Sequence, residues 1–179
     1  EGFTDSDTTV VEETFGFDAE ETAELDITKS SDSPDATTVE VDTDDESEEI
    51  EIFIFEIEEE NGVDLTIEDI DMTASTTNID VTTTIDEVLL YVDGEEVGSE
   101  SPNSVGVLSF ENLGIEVDAD DTIDVTAKVV FKGTDDFAEG DSVFLTFNAV
   151  SDASDANGND ENDMTGVNPT AFSSDKMTL

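Results

Sequence analysis

Apolar and polar residues alternate along most of this chain. The clearest alternation runs from Ile123 to Phe131, and a second one runs from Val143 to Ala149. A period of two residues, rich in β-branched and aromatic side chains, predicts strands with one buried face. A third run, from Ile50 to Ile57, is apolar on both faces at its middle, which indicates a central strand. These three runs predict a core that contains Ile52, Ile54, Val125, Val129, Leu145 and Phe147.

Turn signals separate these runs from several shorter ones. Asn61-Gly62 and Asp93-Gly94 are the strongest, because Asn-Gly and Asp-Gly favour tight hairpin turns. Ile79, Val81 and Ile85 predict a further half-buried strand, and the segment from Ser151 to Asp163 predicts a polar loop. Short strands about 8–12 residues apart are typical of sandwiches and barrels. The predicted fold class is therefore all-β, a jelly-roll-like or Ig-like antiparallel sandwich of about ten to twelve short strands.

The first residues are set apart from this pattern. Residues 1–17 form an apolar-rich N-terminal arm, and residues 18–179 are predicted to form a single sandwich domain. One interpretation is that the arm is the first strand of its own sandwich. The other is that it is a donor strand, which pairs with the sheet edge of a neighbouring subunit. The residues predicted to carry that assembly are Val10, Val11, Phe15 and Phe17.

Composition excludes several classes of function. The 179 residues include 51 Asp and Glu against four Lys, which gives a formal net charge of −47, and there is no Arg, His, Cys or Trp. Disulfides, thiolate nucleophiles and imidazole bases are therefore excluded. Nucleic acid is excluded as a partner, because its binding requires Lys or Arg to displace counterions. No apolar run is long enough to span a bilayer. Paired carboxylates could hydrolyse glycosides, but adjacency carries no information among so many acids, and we expect no enzyme.

The charge also predicts the solvent in which the chain folds. High net charge often means disorder, but here the apolar residues are concentrated in alternating runs. At about 1 M salt the Debye length falls to about 3 Å, which screens the repulsion between carboxylates. The composition is typical of proteins from halophilic archaea, whether secreted or cytosolic.

Acidic clusters are candidate calcium sites, because calcium takes six to eight oxygen ligands. Asp155, Asn157 and Asn159 match positions 1, 3 and 5 of a calcium loop, but Asp160 and Gly166 break the later positions. The alternative is that such clusters are solvated loops of a salt-adapted protein. The other candidate clusters are Asp118, Asp120 and Asp121, and Asp42, Asp44 and Asp45.

The stretch from Tyr91 to Gly133 contains the Asp93-Gly94 hairpin, then Gly106-Val-Leu-Ser-Phe and Leu113-Gly-Ile-Glu-Val. It resembles a β-sandwich module of secreted surface proteins, and is similar to subunits of camelysin/TasA-type fibres and archaeal cannula or bundling-pilus proteins. The resemblance implies an extracellular or cell-surface structural subunit that polymerises with itself by N-terminal donor-strand complementation. Two alternatives stay open: a monomeric adhesion or binding module of a larger surface protein, and a viral capsid or spike jelly roll.

Salt should control stability if this interpretation is correct. Self-repulsion should destabilise the fold below roughly 0.5 M salt, where the Debye length exceeds about 4 Å. Melting temperature, followed by circular dichroism across a salt series, should rise steeply with monovalent salt. Calcium should replace molar salt if the carboxylate clusters bind it. A melting temperature that is the same in low and molar salt would contradict salt adaptation.

Overall fold

The computed structural model describes residues 21–42 and 44–179. In this part of the chain there are eleven strands and one short helix, so the predicted all-β fold is confirmed. The arm residues Val10, Val11, Phe15 and Phe17, and the predicted boundary after residue 17, lie outside the described residues. The elements are β1 (Leu25–Lys29), β2 (Ile50–Glu59), β3 (Leu65–Thr77), α1 (Val81–Thr84), β4 (Ile85–Val92), β5 (Glu95–Glu100), β6 (Val107–Phe110), β7 (Ile115–Val117), β8 (Thr122–Phe131), β9 (Ser142–Asp155), β10 (Phe172–Ser173) and β11 (Met177–Thr178).

The strands form two antiparallel sheets. The five-stranded sheet has the order β1-β2-β8-β4-β5, and the six-stranded sheet has the order β10-β9-β3-β6, with β11 beside β9 and β7 beside β3. Neighbours in the sheets are far apart in the chain, since β2 pairs with β8 and β3 pairs with β9. Lys29 on β1 forms an ion pair with Asp175, just before β11, at 2.8 Å. This contact joins one edge of the first sheet to the second sheet.

The inward faces of the two sheets share one apolar core. Phe53 and Phe55 of β2 contact Phe147 of β9 and Phe172 of β10, with ring centroids 5.0–5.9 Å apart. Rings at these separations pack edge-on or stacked, which adds to the hydrophobic stabilisation. The predicted core residues confirmed as buried are Ile52, Val125, Val129, Leu145 and Phe147.

Ile54 was predicted to be in the core, and this prediction is wrong. A β-bulge in β2 shifts its register against β8 between Glu51 and Phe53. Consecutive residues Ile52 and Phe53 therefore both point inward, and the alternation then continues with Phe55 and Ile57 inward. The extra residue moves Ile54 to the outer face, where it is half-buried.

Asp93-Gly94 is confirmed as a hairpin turn, whereas Asn61-Gly62 is a turn between β2 and β3, which belong to different sheets. Asp93 and Gly94 have φ values of 52° and 82°, as in the type I′ turn that matches the twist of a hairpin. One predicted strand is wrong. The segment that contains Val81 forms the single turn α1, because the Asp80 side chain accepts a hydrogen bond from the Thr82 N–H and caps a helix. No helix in the described ranges could cross a membrane.

The predicted polar loop after residue 150 begins later than expected. Strand β9 continues to Asp155, because it pairs with β3 over almost its whole length, from Thr77↔Ser142 to Leu65↔Asp155. Ala153 supplies a buried side chain in this extension. Asp155 therefore lies at the end of a strand rather than within a loop.

Truncation of a core phenylalanine should distinguish the two faces of β9. Phe147 is fully buried, whereas Phe144 on the same strand lies on the outer face and is half-buried. We expect Phe147→Ala to lower the free energy of unfolding by about 3–5 kcal/mol, and Phe144→Ala to lower it much less. Denaturant unfolding in molar salt measures both values. Equal losses in the two variants would show that the register of β9 is wrong.

Candidate functional site

The described chain begins beside the predicted arm, at residues 21–24, which we call the arm root. Loops at one end of the sandwich hold the arm root just before edge strand β1 begins. Each residue of the arm root, and Leu25 after it, makes a hydrogen bond to a different residue. The bonds run from Asn157 Nδ2 to the Glu21 carbonyl (2.7 Å), from Asn61 Nδ2 to the Thr22 carbonyl (3.1 Å), from Ala23 N to Asp155 Oδ2 (3.2 Å), from Glu60 N to the Glu24 carbonyl (2.9 Å), and from Leu25 N to the Thr165 carbonyl (3.0 Å).

Asp155, the last residue of β9, accepts the hydrogen bonds that organise the turn beside the arm root. Its Oδ1 accepts hydrogen bonds from the backbone N–H groups of Asn157 and Asn159, each at 2.9 Å. Its Oδ2 accepts from Asn159 Nδ2 at 2.8 Å as well as from Ala23 N. Burial by itself would raise the pKa of Asp155, but the donors from Asn159, Ala23 and Asn157 outweigh it and hold the pKa below its ordinary value. The charged carboxylate is thus the form that fits the fold.

Glu59 is a second buried carboxylate that accepts hydrogen bonds from N–H groups, at the turn between β2 and β3. It is only 1% exposed, at the end of β2. Its Oε1 accepts a hydrogen bond from Asn61 N at 2.9 Å. Its Oε2 accepts from Gly62 N at 2.7 Å, from Val63 N at 3.1 Å and from Asp120 N at 3.0 Å. Burial again opposes the charge, yet these four donors lower the pKa of Glu59. One carboxylate therefore joins the β2–β3 turn to the β7–β8 loop.

Two of the three clusters predicted to bind calcium lie at this same end, whereas the acidic loop that contains Asp44 and Asp45 lies beside Gly133, beyond the opposite end of β8. Asp155, Asn157 and Asn159 do come together, but as a hydrogen-bonded turn in which N–H groups surround the Asp155 carboxylate. Asp118, Asp120 and Asp121 form the loop that caps Glu59: Asp120 donates its N–H to Glu59, and Asp121 N donates to the Asp118 carbonyl at 3.1 Å. In the acidic loop, Asp42 Oδ1 accepts a hydrogen bond from Asp44 N at 2.8 Å.

The two main candidate clusters meet at one cavity of about 290 Å³. Glu116 and Asp118 line one side and Asp155 the other, with Asp64, just before β3, between them. Asp64 is itself engaged, since its Oδ1 accepts a hydrogen bond from Ala119 N at 2.8 Å. In residues 21–42 and 44–179, no three acidic side chains converge closely enough to form a metal site. Calcium binding stays a prediction.

The sequence did not single out Glu59, and it indicated Asp155 as a calcium ligand rather than as an acceptor of hydrogen bonds from the protein. Glu58, Glu59 and Glu60 are consecutive, so composition does not distinguish them. The signal that could have found Glu59 is the strand period, because it follows Phe55 and Ile57 on the inward face. Asp155 was identified as an oxygen ligand, whereas its oxygens accept hydrogen bonds from the protein itself.

Replacing Glu59 should destabilise the protein and change its response to acid. Because the folded-state pKa is lowered, the charged form adds stability above the unfolded pKa of about 4.3, and this stability is lost as pH falls through the folded value. Glu59→Gln puts an amide NH₂ among N–H donors, so it should cost about 1–3 kcal/mol at neutral pH and flatten the acid dependence. Thermal melts in molar salt at neutral and acidic pH measure both effects.

The matched control is Glu58→Gln, one residue earlier on the exposed face of β2. It should leave the melting temperature and its pH dependence close to those of the parent. If Glu59→Gln behaves like this control, the turn does not depend on the buried carboxylate.

Comparison with known proteins assigns no family: no family model matches the chain, and a search of curated proteins found no significant match.

Proposed function

We propose that this protein is a non-enzymatic structural subunit of an extracellular filament or cell-surface assembly in a halophilic archaeon. In this proposal, residues 1–17 of one subunit add a strand to the next subunit. The observation that carries the proposal is the arm root, which fixes the point where the arm joins the sandwich. The high acid content supports a molar-salt setting, in which repulsion between neighbouring subunits is screened.

A fixed exit point is what a connecting arm requires. Residues at two places hold the first three residues of the arm root: Asn61 in the β2–β3 turn bonds to Thr22, and Asp155 and Asn157 at the end of β9 bond to Ala23 and Glu21. The carbonyl of Glu24 then accepts a hydrogen bond from Glu60 N, directly after β2. A segment tied down in this way transmits force and direction from the arm to the whole sandwich. An untethered tail, in contrast, would leave its end free to fray.

Edge strand β1 offers a place for a donated strand. Glu24 and Ser30 bond to β2, and Leu25 N bonds to Thr165 on the opposite side. By the alternation of a strand, the backbone groups of Ile27 and Lys29 also face away from β2, and among the described residues they have no backbone partner. An edge with such groups can pair with an extended segment of another chain.

The other edge of the same sheet carries charges that disfavour the addition of another strand. Strand β5 carries Glu95, Glu96 and Glu100, and charged residues on an edge discourage the addition of a strand. A subunit with one acceptor edge and one edge protected by charge forms head-to-tail contacts, which build an open filament when the rotation between successive subunits does not close a ring. The arm of the same chain could fill the β1 edge instead, and the experiment below separates these two cases.

Substitutions in the arm test whether it links subunits. Phe15→Asp combined with Phe17→Asp places charges where the donor strand would enter the apolar interior of the neighbour. We expect the wild-type chain to form filaments in molar salt and the double variant to stay monomeric with an intact fold. Thr14→Asp is the matched control, because its side chain would point away from the core of the acceptor, and it should still polymerise. Sedimentation velocity and electron micrographs measure assembly, and circular dichroism measures the fold.

Two outcomes would contradict the proposal. A wild-type chain that stays monomeric at high concentration in molar salt would favour the adhesion or binding module. A double variant that still forms filaments would show that subunits join through another surface, and the donor-strand mechanism would be wrong.

A further inference from the structure

The outer face of the six-stranded sheet contains an uncharged region. Thr73 of β3 lies opposite both Thr146 of β9 and Val107 of β6, and Ser173 of β10 lies on the other side of Thr146. Hydrogen bonds between side chains run across it, from Asn148 to Thr73 and between Thr146 and Ser173, each at 2.8 Å. We call this region the neutral patch, and its members are Thr73, Ser75, Val107, Ser109, Phe144, Thr146, Asn148 and Ser173.

The rest of the described surface makes this patch unusual. The outer face of the other sheet carries acids on neighbouring strands, among them Asp26, Glu56 and Asp124. The two large apolar side chains that the described residues expose are also here: Val107, at 40%, belongs to the neutral patch, and Val105, at 74%, is two residues before it in the chain. Exposed apolar side chains beside an uncharged face are typical of a contact surface.

Two opposite charges lie at opposite corners of the neutral patch. Asp71 is on β3, two residues before Thr73, and accepts a hydrogen bond from Ser109 Oγ at 2.8 Å. Lys176 lies across the patch, with its Nζ 5.4 Å from the centroid of the Phe144 ring. The other three lysines, Lys29, Lys128 and Lys132, each pair with an acid. In the part of the chain that the structure describes, Lys176 has no carboxylate partner.

The sheet register places Thr146 midway between these charges. Lys176 is level with Phe144, two residues before Thr146 on β9, and Asp71 is two residues before Thr73, the partner of Thr146 on β3. Strands are about 4.8 Å apart and same-face residues about 6.8 Å apart along a strand, so the two charges lie on a diagonal through Thr146.

We propose that the neutral patch binds the same patch of a second copy of this chain, around a two-fold axis that passes near Thr146. The axis brings Lys176 of each copy over Asp71 of the other, which forms two equivalent ion pairs at the rim. Such an interface is isologous, with one surface that is complementary to itself. It uses neither the arm nor the β1 edge, so it stands independently of the proposed filament.

The net charge identifies a second copy as the partner. Molar salt screens repulsion beyond about 3 Å, but carboxylates that are pressed together in a contact still repel each other. Two chains of charge −47 therefore associate most readily through the neutral patch, where contact brings few carboxylates together. A cationic partner would bind the acidic faces instead, and an anionic one would meet repulsion over most of the surface. By the spacings within a sheet, the eight residues of the patch cover roughly 260 Å², about a third of the area that each partner buries in a stable complex, so the free subunits should associate weakly.

Charge reversal in full-length chains tests this pairing. Every protein carries Phe15→Asp and Phe17→Asp, so that filaments formed through the arm do not contribute. The variants are Lys176→Glu, Asp71→Lys and the double reversal, which restores both ion pairs without a change in net charge. Sedimentation equilibrium in molar salt, up to millimolar protein, gives the dimer Kd, and circular dichroism shows that each variant is folded.

We expect each single reversal to weaken the dimer by about tenfold and the double reversal to restore it to within about twofold. The direction in which Asp71→Lys changes the dimer Kd is decisive. This substitution lowers the net negative charge, so general repulsion alone would make the dimer tighter, whereas loss of the ion pair makes it weaker. Asp124→Lys on the outer face of the other sheet is the matched control, and it should not weaken the dimer.

Each of several outcomes overturns the proposal. A parent that stays monomeric at millimolar concentration shows that the patch does not bind its own copy. Single reversals that dimerise like the parent, or a double reversal no tighter than the singles, show that Lys176 and Asp71 do not pair. Weakening by Asp124→Lys equal to that by Asp71→Lys shows an effect unrelated to the patch. None of these results bears on whether the arm forms filaments.

Discussion

Every strand of this protein must keep ionised carboxylates out of the core, because a buried charge without hydrogen bonds costs several kcal/mol. With 51 acids in the chain, this constraint can be met only if apolar and acidic residues are separated onto opposite faces of each strand. Strand β8 shows the separation directly, since Val125, Ala127 and Val129 are buried while Asp124 is exposed. The two-layer sandwich follows from the constraint, because it gives each sheet one inner face and one wet face.

Two of the exceptions to the constraint lie at the end of the molecule that holds residues 21–24. Glu59 and Asp155 point inward, and each accepts four hydrogen bonds from N–H donors in the surrounding turns. Hydrogen bonds to a charged acceptor are stronger than those to a neutral one. Because the chain has only four lysines, hydrogen bonds from backbone and amide N–H groups, rather than ion pairs, compensate these buried carboxylates. These hydrogen bonds connect the turns at this end to the arm root, on which the proposed function depends.

Sequence reasoning predicted the features that depend on local pattern. The all-β class, the Asp93-Gly94 turn and the burial of Phe147 each follow from the strand period or from turn chemistry. Ile54 was misplaced because one bulge in β2 reverses every later side chain, and bulges leave no reliable signal in a single sequence. The helix at Val81 was missed because a one-turn helix is shorter than the period that would reveal it.

The candidate site was predicted less well, because it depends on which loops meet. The residues of the Asp155 turn were identified, but their donors could be found only once Ala23 was known to lie beside them. The neutral patch likewise depends on the pairing of β9 with β3 and β10, whose residues are widely separated in the chain. The alternation of apolar and polar residues does not show which strands, far apart in the chain, pair with each other.

The claim that inward carboxylates fix the arm root can be tested most directly by amide hydrogen exchange. The measurement compares the full-length chain with its Asp155→Asn variant in molar salt at neutral pH. The Ala23 amide donates to Asp155 and should be protected in the parent, and its protection should fall in the variant while that of core strand β3 is retained. If the Ala23 amide of the parent exchanges as fast as that of an unfolded peptide, the arm root is not fixed and the account is contradicted.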